Sequence, residues 1–314
     1  MSLCLRSQGL VLALVLSAAC ERAGPERSND TAVVVMPPPP TTPDSTIAIA
    51  SPWDTAAGPA FLVVGSDPMQ AAVVVPAFSA DADLDTAHFD LDSALARSYD
   101  LFVAGHRAGS ARLGSIISAD PPDECTAWPQ VRLRAAPDSQ AAAWTVAIAQ
   151  GRFTPLTVDS ISGLSRTDSA QLVMELARVA SSAPGDTVEA LKGTAYVVRR
   201  GYRLTLPGYP SMVFAEIMRS LNQEANPAHE HMLLIMERDT LPRSRHRMTY
   251  VERSSGTEET LESTELLLAG TITGRTQPVI LIARYAGDGV IYSLLERSDA
   301  QTWNVRWTSP YAGC

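Results

Sequence analysis

Ala60-Phe61-Leu62-Val63-Val64-Gly65 and Ala71-Ala72-Val73-Val74-Val75, on either side of Ser66-Asp67-Pro68, decide the fold class. Two short apolar, β-branched runs separated by turn-forming residues read as two strands and their turn. The pattern recurs in both directions. Leu101-Phe102-Val103-Ala104 and Ala111-Arg112-Leu113 flank a turn placed at 105–109, and Gln130 to Leu133 and Trp144 to Ala149 add two more strands. Farther on, Tyr196, Val198, Tyr202, Leu204 and Leu206 alternate with Arg199, Gly201 and Arg203, the period of a strand with one buried face. Met212 to Met218, His231 to Glu237, Met248 to Arg253, Val279 to Arg284, Val290 to Glu296 and Trp303 to Trp307 continue at hairpin intervals. The fold class is therefore mainly β, with antiparallel meanders in two domains joined by one or two helices.

The helix signal is confined to one place. Leu172, Val173, Leu176, Val179 and Ala180 make a single apolar stripe over 168–182, with a cap signal at Ser165-x-x-Asp168 and a stop at Pro184-Gly185. A shorter helix is expected over 187–192, and both helices read as a connector or as cover for a sheet edge. The resulting plan is 1–20 signal, 21–58 linker, 59–163 all-β domain, 164–193 helical connector and 194–314 antiparallel β domain.

The N-terminus carries one charge, Arg6, ahead of a short apolar core from Gly9 to Ala19. That is a secretory signal pattern, and it is too short to span a bilayer. Leu16-Ser17-Ala18-Ala19-Cys20 resembles the lipobox of bacterial lipoproteins, in which the cysteine is acylated and becomes the first residue after cleavage. Ser17 stands where that box most often carries Leu. Ser17-x-Ala19 also suits ordinary signal peptidase, which would cut at the same bond and leave Cys20 unlipidated. Pro25, Pro37-Pro38-Pro39-Pro40, Pro43 and Pro52 make 21–58 an extended spacer that cannot build a core. By the same resemblance, Glu21 in place of the inner-membrane retention Asp favours the periplasmic face of the outer membrane. A secreted or periplasmic soluble protein is the alternative.

Four cysteines are present. Cys4 would leave with the signal and Cys20 would take the lipid, so Cys125 and Cys314 remain. In an oxidising envelope that pair reads as a disulfide; the alternative is two separate thiols. A net charge of −9 argues against nucleic acid, whose binding needs clustered Lys and Arg.

Residues 260–314 resemble one blade of FG-GAP/VCBS-type β-propellers in their order of strands, Gly turns and Trp-bearing final strand. The turn at Ala269 to Pro278 has none of the acids with which that family binds calcium, so a calcium role does not carry over. Asp81-x-Asp83-x-Asp85 with Asp92 lacks the sixth-position Gly of a calcium loop and reads as a solvated acidic turn. His229 and His231, with Glu230 or His246, lack a third metal ligand at diagnostic spacing and read as loop histidines. Arg243, Arg245, His246 and Arg247 form a basic cluster that could hold an anion or a lipid head group, or could be a solvated hairpin tip offset by Glu252, Glu258, Glu259, Glu262 and Glu265. Nucleophile elbows and phosphate loops are missing from the sequence, so no catalytic residue, metal or cofactor is expected. The reading is a lipid-anchored envelope module with an envelope protein or glycan as partner; the alternative is a hydrolase whose site only the fold assembles.

Overall fold

The computed structural model describes residues 57–84, 91–118, 125–135, 143–184, 188–205, 207–221, 227–238, 244–256, 261–298 and 300–314. The chain is mainly β and its strand pairs are antiparallel, as the alternation and the short apolar runs require.

Six strands close into a barrel: β1 (Phe61–Val64), β2 (Gln70–Val74), β3 (Ser98–Val103), β4 (His106–Ser118), β5 (Gln130–Ala135) and β6 (Val146–Ala149). Their order is β1-β2-β5-β4-β3-β6, and β6 returns to β1 through Leu62↔Ala147 and Val63↔Val146, so no edge is left open. Leu62, Val73, Leu101, Leu113, Val131 and Ala147, one from each strand, fill the interior. A four-residue helix, α1 (Asp92–Leu95), caps this core with Ala94. Phe61, Val74, Phe102, Val146 and Ile148 point the other way and are also buried. That is why β1 and β6 read as continuous apolar runs with no polar alternation: both of their faces are covered.

The β3–β4 turn is tighter than the loop expected at 105–109. Val103 pairs directly with His106, leaving only Ala104 and Gly105, whose φ values of 44° and 77° make the two-residue turn that suits strand twist. Gly105 is needed twice over, because a Cβ there would lie 2.4 Å from the Leu156 carbonyl oxygen.

The remaining chain builds two five-stranded sheets. One runs β8 (Thr157–Ser160), β9 (Val197–Thr205), β10 (Met212–Leu221), β11 (Ala228–Arg238) and β12 (His246–Gly256). The other runs β7 (Phe153–Pro155), β13 (Ser263–Ile272), β14 (Pro278–Ala286), β15 (Gly289–Arg297) and β16 (Trp303–Thr308). Phe153 to Ser160, expected at the end of the N-terminal region, thus belongs to these sheets: β7 pairs with β13 and β8 with β9, and buried Leu156 sits between them. The blade-like stretch folds as β13 to β16, four consecutive strands extended by β7.

Alternation now explains the layers. In β14, Ile280 and Ile282 face β8–β12 through a shared core with Phe214, Leu233 and Ile235. Val279, Leu281 and Ala283, on the opposite face, pack on the barrel wall. Phe61 of the barrel meets Tyr292 and Trp307 edge-on, each at 5.9 Å between centroids. Barrel and sheets belong to one compact unit, Ala48–Cys314.

The long helix, α2 (Arg166–Ser181), starts as expected: the Ser165 hydroxyl accepts from the Asp168 N–H at 3.2 Å. It covers a sheet face, not an edge. Leu176, Val179 and Ala180 pack on Val213, Ala215, Met232 and Met236, whereas Val173, one residue off the stripe, is exposed. The second expected helix is a 3₁₀ turn at Glu189–Leu191, short enough to insert Leu191 into the interior.

Candidate functional site

Strand phase identifies the site. Met212 and Phe214 of β10 point between the two sheets, and the next residue in that phase is Glu216. Its carboxylate is 1% exposed, at a place where the strand pattern calls for an apolar side chain. A β-bulge brings its partners. Glu216 pairs with Arg200 and Ile217 with Val198, so Arg199 is an extra residue and both arginines turn toward the same carboxylate. Arg199 Nη1 lies 3.6 Å from Glu216 Oε1 and Arg200 Nη1 lies 3.8 Å from Oε2. The Thr264 backbone N–H donates to Oε1 at 3.2 Å, while Oε2 has no hydrogen-bond donor among the described residues.

His231 of β11 shares the phase of Leu233 and Ile235 and therefore also points inward. Its Nδ1 is 3.0 Å from the Glu262 carbonyl oxygen, an acceptor only, so Nδ1 carries a proton; Nδ1 is also 3.6 Å from Glu216 Oε1. Burial pushes the His231 pKa below its ordinary 6.5, and this outweighs the attraction of Glu216. Glu216, His231, Glu252, Ser254, Glu262 and Thr264 border a cavity of about 260 Å³ at this end of the sandwich. Beyond it, Glu252 accepts from Tyr250 Oη at 2.7 Å and from Arg284 Nη2 at 2.6 Å. The cavity is thus bordered by a carboxylate with one oxygen lacking a hydrogen-bond donor among the described residues, by the Arg253 guanidinium and by an imidazole that favours its neutral form. These are complementary to a neutral ligand rich in hydroxyl or amide groups.

A depressed histidine pKa fixes a pH dependence. The folded state favours neutral His231, so its contribution to stability is fully present above pH 6.5 and is lost as pH falls through the lower folded value. Arg199 and His229 oppose its protonation and Glu216 favours it. The thermal midpoint is expected to fall as pH drops below 6.5, and His231→Gln to flatten the first part of that fall. An unchanged slope in the variant would contradict the assignment.

Cys125 and Cys314 are joined in a disulfide across a separation of 189 residues. Beside it the Thr126 and Gly313 backbones bridge, and Ala312 bridges to Val290. His229 and His231 lie on β11, not in a loop, and Glu230 faces away from them into an ion pair with Arg219 at 2.8 Å. His246 meets Glu175 of α2 at 2.9 Å. No group of three or more potential metal ligands forms among the described residues. Among the described residues the acid patch and the basic cluster do not pair with each other: Glu252 binds Arg284, Glu265 accepts from Tyr285, and Arg247 donates to Gln301. Asp81 and Asp83 lie in a turn region and Asp92 begins α1. Cys20, the spacer to residue 56, Asp85, Arg243, Glu258 and Glu259 lie outside the described residues.

Sequence reasoning missed Glu216, Arg199 and Arg200. The signal was available in β10, where a charged residue stands in core phase after Met212 and Phe214. The bulge that turns two consecutive arginines to one side had none. No helix among the described residues is long and apolar enough to cross a membrane. No family model, curated protein or solved structure matches the chain.

Proposed function

We propose that this is an exported bacterial envelope protein, held to the membrane by a lipid on Cys20, whose β-rich body acts as a binding or structural module. The observation that carries the reading is the Cys125–Cys314 disulfide, because such bonds persist in oxidising compartments outside the cytoplasm. The apolar core at 9–19, the lipobox-like residues ending at Cys20 and the proline-rich spacer add to it. Glu21 favours the outer membrane, on its periplasmic face. The hydrogen-bonding groups around Glu216 suit an envelope glycan or a polar segment of a partner protein.

A hydrolase is the second reading, favoured by the convergence of Glu216 and His231 on one cavity. Ser254 and Thr264 border the same cavity, yet among the described residues neither hydroxyl is hydrogen-bonded to His231 or Glu216, as an activated nucleophile would be. Binding is the better fit to that geometry.

Expression of Cys20→Ala in the native envelope tests the anchor. The parent protein should fractionate with membranes and carry acyl mass on its processed N-terminus. The variant should appear in soluble form or as unprocessed precursor. A variant that matures normally and stays on the membrane would overturn the lipid assignment.

A further inference from the structure

α2 does not cover its sheet along the whole length. Its apolar stripe stops at Leu172, and Asp168, Gln171 and Glu175, spaced three and four residues apart, continue the line as polar side chains. Opposite them the sheet ends at Arg238, the last residue of β11, paired across the ladder with His246, the first of β12. Between helix and strand ends lies a cleft of about 620 Å³ bordered by Gln171, Met174, Glu175, Arg178, Arg238 and Arg245. It adjoins a recess of about 230 Å³ that reaches Arg203 and His246.

The acids of this cleft are committed and two of its bases are not. Asp168 accepts from the Ser165 hydroxyl at 2.8 Å. Arg203 is held by Asp159 at 2.9 Å. Glu175 accepts from the His246 backbone N–H at 2.9 Å and lies 3.6 Å from Arg178. Burial works to raise the Glu175 pKa, but the approach of His246 and Arg178 outweighs it and holds the carboxyl below its ordinary value. Arg238 and Arg245 are exposed, and neither side chain has a hydrogen-bond or ion-pair partner among the described residues. His246 supplies an independent pointer. It is 4% exposed, its Nδ1 sits 2.9 Å from Glu175 Oε2, and its Nε2 has no hydrogen-bond partner among the described residues.

We propose that this cleft binds a phosphate-class oxyanion, held by the Arg238 and Arg245 guanidinium groups with His246 Nε2 at its inner end. Two uncommitted guanidinium charges match a divalent oxyanion, and their forked donors suit its oxygens. A buried ring nitrogen without a partner gains one when an oxygen enters the recess. The site does not depend on acylation of Cys20 or on the Glu216 cavity. The phosphate can belong to a phospholipid head group or to a soluble phosphate ester. Met174, 70% exposed on the rim, is an apolar side chain that a membrane surface would bury.

The full chain is titrated with inorganic phosphate at low ionic strength, about 20 mM salt, so that screening does not mask the arginines. Calorimetry and the NMR signals of the His246 ring report binding. Saturable binding that shifts His246 is expected, and Arg238→Gln/Arg245→Gln should weaken it at least about tenfold. Both positions are exposed, so the thermal midpoint should not move. Arg238→Lys/Arg245→Lys should retain part of the affinity, since the charge remains but the fork is lost. Vesicles of phosphatidylglycerol and of phosphatidylcholine then separate the sources. Stronger sedimentation with phosphatidylglycerol that the Gln variant loses assigns the site to lipid head groups. Equal sedimentation of parent and variant, with phosphate binding intact in the parent, assigns it to a soluble phosphate ester. No saturable phosphate binding up to about 10 mM, or full binding by the Gln variant, overturns the proposal.

Discussion

Replacing Cys125 and Cys314 together by Ala is expected to cost up to about 5 kcal/mol of stability, the chain-entropy value for a loop of this length. For a body of this size each kcal/mol moves the thermal midpoint by about 2–4 °C, so the shift should lie between roughly 5 and 20 °C. The loss has a location. The bridges from Gly313 to Thr126 and from Ala312 to Val290 adjoin Cys314 and depend on its being held. Hydrogen exchange should therefore show the Ala312 amide, which donates to the Val290 carbonyl at 3.0 Å, losing protection before the barrel strands do. Reduction of the native protein should reproduce both effects. A midpoint that does not move once both thiols are shown to be free would mean that core packing alone fixes residues 312–314.

That bond was legible because it follows from counting: two cysteines remain when the signal and the lipid site are set aside. The strands were legible for a similar reason, since period and turn residues are local properties. Closure of the barrel was not. It rests on the pairing of Leu62 and Val63 with residues more than eighty positions away, and nothing in either run specifies the partner. The separation of β7 from β8 was hidden too, because the three residues before Leu156 and the four after it feed two different sheets. His231 shows the cost of reading residue type before phase. As one of two nearby histidines it looked like a loop residue, yet it alternates with Leu233 and Ile235, and that alternation places it inside the sandwich. His246 required the helix, since its partner Glu175 is contributed from α2.

At the opposite end of the sandwich from Glu216, removing the charge of Glu237 is expected to cost about 3–5 kcal/mol, the range for breaking a buried ion pair from one side. Glu237 belongs to β11 and is 1% exposed. It accepts from Arg297 Nε at 2.8 Å and Nη2 at 2.9 Å, and from Trp303 Nε1 at 2.8 Å. Arg297 and Trp303 come from β15 and β16, so this one carboxylate ties the two sheets together through three hydrogen bonds. Arg297 in turn lies over the Tyr209 ring at 5.3 Å. Glu237→Gln keeps the shape but removes the carboxylate to which the Arg297 guanidinium, 6% exposed, donates twice, and the loss of that buried charge pairing is the main cost. Arg297→Met leaves the converse, a buried carboxylate that retains only the Trp303 donor. The double variant Glu237→Leu/Arg297→Met removes both charges of the pair and leaves Trp303 Nε1 without its acceptor, a loss of about 1–3 kcal/mol. It should therefore be more stable than either single variant, with a coupling energy that double-mutant analysis of urea midpoints can read. Additive losses would show that the two side chains act separately, and the account of Glu237 as the clamp between the sheets would fail.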